Sequence, residues 1–128
     1  MKKSDILRRL QELDFDPTQY WLITGAAMVL YGIRAETGDI DMGCTSALAD
    51  MLEAQGCPCS KGEDGSRKIT LGDDVEIFEN WLYDKVELYE NIPLLSPQGL
   101  MEMKRFLGRE KDLRDIRLIE EYMKENEV

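Results

Sequence analysis

The sequence predicts one α/β domain, a mixed β-sheet flanked by helices, spanning all 128 residues. Three observations point there. Two short β-rich runs, Tyr20 to Thr24 and Ile40 to Cys44, alternate with helical segments. A strict two-residue alternation around Ile69 to Leu71 and Val75 to Phe78, broken by Gly72-Asp73-Asp74, reads as a β-hairpin. Two amphipathic runs with helix start and stop signals then close the chain.

Each element has its own signal. Ser4 is placed to cap a first helix whose stripe is Ile6, Leu10 and Leu13. Asp14 to Thr18, with Pro17, reads as a loop. Gly25 breaks the first strand, and Ala26 to Tyr31 reads as a short helix ending at Gly32. Thr45 or Ser46 caps a helix carrying Leu48, Met51 and Leu52, which Gly56 stops. Ser60 to Ser66 is polar and glycine-rich and reads as a loop. One or two short strands are expected around Val86 to Leu88 and Ile92 to Leu95. Ser96-Pro97 opens a helix with inner face Leu100, Met103 and Leu107, ended by Gly108. The last helix, from about Lys111, is expected to turn Leu113, Ile116, Ile119 and Met123 inward.

Composition narrows the function. Sixteen basic residues face 26 acidic ones, a net charge of −10. Such a surface repels phosphate backbones and argues against a nucleic-acid partner. No histidine is present, which removes histidine general bases, the usual serine and cysteine triads and most zinc sites. Cys44, Cys57 and Cys59 form no even disulfide set, and reduced thiols in a cytoplasmic protein are the simplest reading. No apolar run has the length of a membrane span, and the basic N-terminus lacks the apolar stretch of an export signal.

The chemistry concentrates between Ile23 and Thr45. A strand that stops at Gly25 and turns into a helix aims free N–H groups at the turn, where phosphate is attracted. Asp39 and Asp41 flank Ile40. In a strand, carboxylates at i and i+2 share a face, roughly 6.6 Å apart along the chain, while the residue between anchors the core. Hard oxygen ligands so placed suit Mg²⁺ or Mn²⁺, completed by phosphate oxygens; a solvated acidic turn is the plainer alternative. Glu76 lies on the strand face opposite Val75 and Ile77. It joins the aspartates if the two strands are neighbours, with Asp74 as second choice and a surface acid as the alternative. Arg34 can grip phosphate through paired N–H groups or pair with Glu36. Lys104 adjoins the apolar stripe of its helix and either snorkels to solvent or reaches a site. Asp112 and Asp115, with Arg109 and Lys111 close by, read as a helix-surface charge network.

Taken in order, Gly25, Ala27, Gly32, Arg34, Thr37, Asp39, Ile40 and Asp41 match a GG-x-A…G-x-R-x-T-x-D-I-D pattern. The chain thus resembles the small bacterial nucleotidyltransferases of the DNA-polymerase-β-like superfamily. That group includes abortive-infection toxin–antitoxin components and lincosamide-type transferases. The likeness runs from about Trp21 to Ile119 and includes Lys104 and Arg109 in the tail. It implies a nucleotidyltransferase-like mixed sheet. Gly25 and its neighbour Ala26 would then shape the phosphate loop, with Arg34, Thr37 and Lys104 at the nucleotide. Asp39, Asp41 and Glu76 would be catalytic and hold Mg²⁺ or Mn²⁺. The implied reaction moves a nucleoside monophosphate from an NTP to a hydroxyl of a small molecule or protein. Ala26 stands where relatives carry glycine or serine, and Glu76 where they carry aspartate. These departures support the alternative, a catalytically weakened binding protein such as a toxin–antitoxin component. The chain is short of the helical substrate domain of larger relatives, and a homodimer or partner protein could supply that wall.

Overall fold

The computed structural model describes residues 1–126. The chain forms α1 (Lys3–Leu13), β1 (Tyr20–Ile23), α2 (Thr24–Tyr31), β2 (Ile40–Cys44), α3 (Ser46–Ala54) and β3 (Cys59–Lys61). It continues as β4 (Arg67–Leu71), β5 (Val75–Glu79), β6 (Val86–Tyr89), β7 (Ile92–Leu95), α4 (Pro97–Leu107) and α5 (Glu110–Glu125). The strands make one mixed sheet in the order β3-β4-β5-β2-β1-β7-β6. β2 runs parallel to β5 and antiparallel to β1, and β1 runs parallel to β7. β5, β2, β1 and β7 are the most buried strands, with β1 and β7 apolar throughout. Leu22, Ile23, Ile40, Met42, Ile77, Leu94 and Leu95 are wholly buried among them.

The α/β expectation holds, and the elements follow their signals closely. β2 has the expected bounds, the β4–β5 hairpin forms around Gly72, and Val86–Tyr89 and Ile92–Leu95 pair as a second hairpin. Ser96 caps α4, its Oγ accepting from the Gly99 N–H at 3.1 Å, and Thr45 caps α3 through the Leu48 N–H. Gly108 ends α4 in the left-handed conformation.

Several details differ. Ser4 lies inside α1: the cap falls two residues earlier, at Lys2, and the Asp5 carboxylate accepts from the Lys2 N–H at 2.9 Å in place of a serine cap. α2 starts at Thr24, because the chain turns before Gly25. Ser60 and Lys61, expected in a loop, pair with Lys68 and Arg67 as part of edge strand β3, and only the segment after them is a turn. Met51 is 44% exposed and Leu113 55% exposed, so neither faces the core. In α5 the inward position beside Ile116 and Ile119 goes to Asp112, which is completely buried. Among the described residues, no helix is long and apolar enough to cross a membrane.

Candidate active site

A cleft of about 760 Å³ opens where β1 ends and β2 and β5 begin. Its floor is the sheet, and its walls are the β1–α2 junction, the segment leading into β2, and α4 with α5. Four carboxylates line it: Asp39, Asp41 and Glu76 on the sheet side and Asp115 on α5. Asp41 and Glu76 are direct partners in the parallel β2–β5 ladder, which puts their backbones roughly 4.8 Å apart on one face. Ile40 between the aspartates is fully buried, so the alternation read from the sequence is present. Asp39 precedes the strand and is exposed at the cleft mouth. Asp74, the second choice for the third acid, is turned away and accepts from Arg9 Nε at 2.9 Å.

Asp41 is the most perturbed of these groups. Burial, then repulsion from Asp39, pushes its carboxyl up to about 6, with Glu76 adding to the rise. The Thr24 hydroxyl and the Lys104 ammonium oppose that rise. Thr24 Oγ1 donates to Asp41 Oδ2 at 2.9 Å, whereas Asp41 Oδ1 is buried with no hydrogen-bond partner. A buried, unpaired carboxylate oxygen among other acids is an acceptor waiting for positive charge. Hard oxygen donors of this kind fit Mg²⁺ or Mn²⁺. As they stand, no three acidic, cysteine or histidine side chains among the described residues are drawn together closely enough to hold an ion. Glu76 instead reaches Lys68 Nζ at 3.6 Å.

The turn above the carboxylates is tight. Thr24 adopts φ +50°, a left-handed conformation uncommon for a β-branched residue. At Gly25 the constraint is space: a Cβ there would collide with the Thr37 hydroxyl and come within 3.5 Å of Arg34 Nη1. Glycine lets the strand-to-helix turn pack directly on the segment carrying Thr37 and Arg34. All four residues line the cleft. Ala26 does not: it is wholly buried in the first turn of α2, which assigns its side chain to the core.

Cations face the acids from the opposite wall. Lys104, only 4% exposed, contacts Asp115 at 2.8 Å and Asp112 at 3.4 Å. Arg109 grips Asp112 through two nitrogens, at 2.7 and 3.2 Å. Arg34 lies 3.9 Å from Asp115, so its acidic neighbour is in α5 and not Glu36. The pair Asp112 and Asp115 is therefore no surface network; it anchors the cationic wall from within. Lys111 and Arg114 complete that wall, with no ion pair among the described residues. Five basic residues thus meet four acidic ones around the cleft, in a chain where acids outnumber bases 26 to 16.

Thr24, Arg109, Lys111, Arg114, Phe78 and Trp81 also line the cleft, beyond the residues that the sequence points to. Lys111 and Arg114 had a usable signal, their i and i+3 spacing on one helix face. Thr24 had a weaker one, a hydroxyl beside the turn glycine. Trp81 had none, because it follows the strand in a segment without periodicity.

No family model matches the chain, and no curated protein matches it. A solved structure does: a Thermotoga maritima protein provisionally assigned as a nucleotidyltransferase. The two folds superpose with a TM-score of 0.59 over 91% of this chain and 93% of that one, at 18% identity. The fold here is therefore nucleotidyltransferase-like.

Proposed function

We propose that the cleft transfers a nucleoside monophosphate from an NTP to an acceptor hydroxyl, releasing pyrophosphate. The observation that carries this reading is the Asp41–Glu76 ladder pair, with Asp39 at its mouth and an unpaired Asp41 oxygen, facing a wall of basic side chains. Asp39, Asp41 and Glu76 would hold Mg²⁺ or Mn²⁺, which supplies charge neutralisation at the phosphates. The Thr24–Gly25 turn and the start of α2 receive the phosphate tail with backbone N–H groups. Arg34, Lys111 and Arg114 add positive charge, and Thr37 closes the turn behind it. Lys104 is committed to Asp112 and Asp115 and acts through the field it exerts on Asp41. In the transfer, the acceptor oxygen bonds to the α-phosphorus as the bond from that phosphorus to the β-phosphate oxygen breaks. The electron pair leaves with pyrophosphate, and Glu76 takes the hydroxyl proton. Three free cysteines suit a reducing, cytoplasmic setting.

A second reading, a catalytically weakened binding protein such as a toxin–antitoxin component, draws on the Glu76–Lys68 pair and on the want of three converged acids. Ligand-linked stabilisation separates the two. Millimolar Mg-ATP, -GTP, -CTP or -UTP should raise the melting temperature; saturation at 100 times Kd is worth about 2.7 kcal/mol. No shift with any of the four would overturn the transferase reading.

A further inference from the structure

We infer that Phe78 and Trp81 form a seat for a planar ring on the acceptor. The inference rests on the nucleotidyl-transfer reading and names the class of molecule that receives the nucleotide. Phe78 follows Glu76 by two residues on β5, so it shares the cleft face and lies roughly 6.6 Å further along the strand. Its ring stacks on Trp81 with centroids 4.4 Å apart and planes 23° from parallel. Both rings are half-buried and line the cleft.

The pair is held in place by the turn after β5 and by contacts to β1, β2 and α3. Asn80, at φ +61°, turns the chain back after β5 so that Trp81 can lie over Phe78. Its backbone N–H donates to the Cys44 carbonyl at 2.7 Å, and its Nδ2 donates to Ser46 Oγ at 3.2 Å. Trp21 Nε1 donates to the Trp81 carbonyl at 2.7 Å. Trp21 lies over Gly43, where any Cβ would collide with the indole, and Gly43 is the ladder partner of Phe78. A third aromatic residue and a glycine thus fix the position of the pair, and the stacked rings are preorganised rather than collapsed into the core.

Direction selects the acceptor over the base of the nucleotide. β1 is antiparallel to β2, so the Thr24–Gly25 turn and the Phe78–Trp81 pair lie on opposite sides of Asp41 and Glu76. In-line displacement places the entering hydroxyl opposite the leaving pyrophosphate. With the phosphate tail at the α2 turn, the hydroxyl enters from the aromatic side, next to Glu76. A planar ring stacked there holds that hydroxyl within reach, in the offset or edge geometry that aromatic pairs favour.

The test is ligand-observed NMR titration of the intact protein with N-acetyl-tyrosinamide and 5-hydroxyindole as ring-bearing hydroxyl probes. N-acetyl-serinamide serves as the ringless control, and adenosine and Mg-ATP are run in parallel. The expected result is binding of the two ring probes but not of the control. Phe78→Leu and Trp81→Leu should weaken it about tenfold and Trp81→Phe should retain it, with Mg-ATP affinity held within about twofold. Loss of adenosine and Mg-ATP binding in the leucine variants would assign the seat to the nucleobase and overturn the inference. Failure of both ring probes to bind the unaltered protein would overturn it too, as would equal binding by the leucine variants. Failure of the unaltered protein to bind any Mg-NTP is a separate outcome; it removes the transferase reading itself.

Discussion

Asp41 and Glu79 are acids on neighbouring parallel strands, and the fold treats them in opposite ways. Glu79, 7% exposed, meets Arg67 Nη2 at 2.6 Å and Nε at 3.1 Å, and also accepts from the Arg67 N–H. Hydrogen bonding to Arg67 holds its carboxyl down at about 2, against an ordinary 4.5. Asp41 has a single hydroxyl donor and two acidic neighbours, and burial pushes it up to about 6 from 3.8. Glu79 contributes stability that is full above pH 4.5 and is lost as pH falls toward 2. For Asp41 the sign reverses: the folded state binds the proton more tightly, so stability falls as pH rises from 3.8 to about 6. Glu79 is built into the structure, whereas Asp41 costs the structure something. An acid kept at such a cost is a candidate for chemistry.

Lys104 gives the largest expected effect and sharpens that contrast, because it is a cleft residue that behaves as Arg67 does. Lys104→Met would leave the fully buried Asp112 with Arg109 alone and should cost about 3–5 kcal/mol in denaturant unfolding. A loss below about 1 kcal/mol would return Lys104 to the ligand-binding set.

Arg67→Met comes next. It strips Glu79 of the guanidinium donors, leaving the Arg67 backbone N–H, and releases Asp50 and Glu53, at 2.8 and 2.9 Å. The melting temperature at neutral pH should drop about 5–10 °C, and acid unfolding should begin at a higher pH than in the unaltered protein. An unchanged acid limb would break the comparison from the structural side.

Thr24→Gly should move stability least. It relaxes a left-handed backbone worth about 1 kcal/mol and removes one hydrogen bond of similar worth. Turnover should still fall about tenfold, because Asp41 loses the group that orients it, while Thr24→Ser should retain most of it. Equal rates in the two variants would show that the hydroxyl does not position Asp41.

How much of this was legible depended on whether neighbours along the chain were neighbours in space. Asp39, Ile40 and Asp41 announce a strand edge by their period, and the alternation Val75-Glu76-Ile77 puts Glu76 on the cleft face; pairing of β2 with β5 does the rest. In the last helix the apolar period runs through Leu113, which is exposed. The inward position belongs to Asp112, because Lys104 and Arg109 neutralise a carboxylate that no hydrophobic pattern reveals. Met51 misled in the same way, as an apolar residue left on the outer side of a short helix. The Thr24 conformation and the Trp81–Phe78 stack depend on contacts between distant elements and had no local signature.

The central claim is that Asp41 is held for nucleotidyl transfer at the expense of stability. The most direct measurement compares the unaltered protein and Asp41→Asn for transfer of an α-phosphate label from each NTP into cell extract, with unfolding free energy read on the same samples at pH 8. The account predicts transfer by the unaltered protein and a loss on the order of 10³-fold in the variant. It also predicts that the variant is more stable by about 2–3 kcal/mol, the worth of the raised carboxyl. Full transfer by Asp41→Asn, or a variant less stable than its parent, would contradict it.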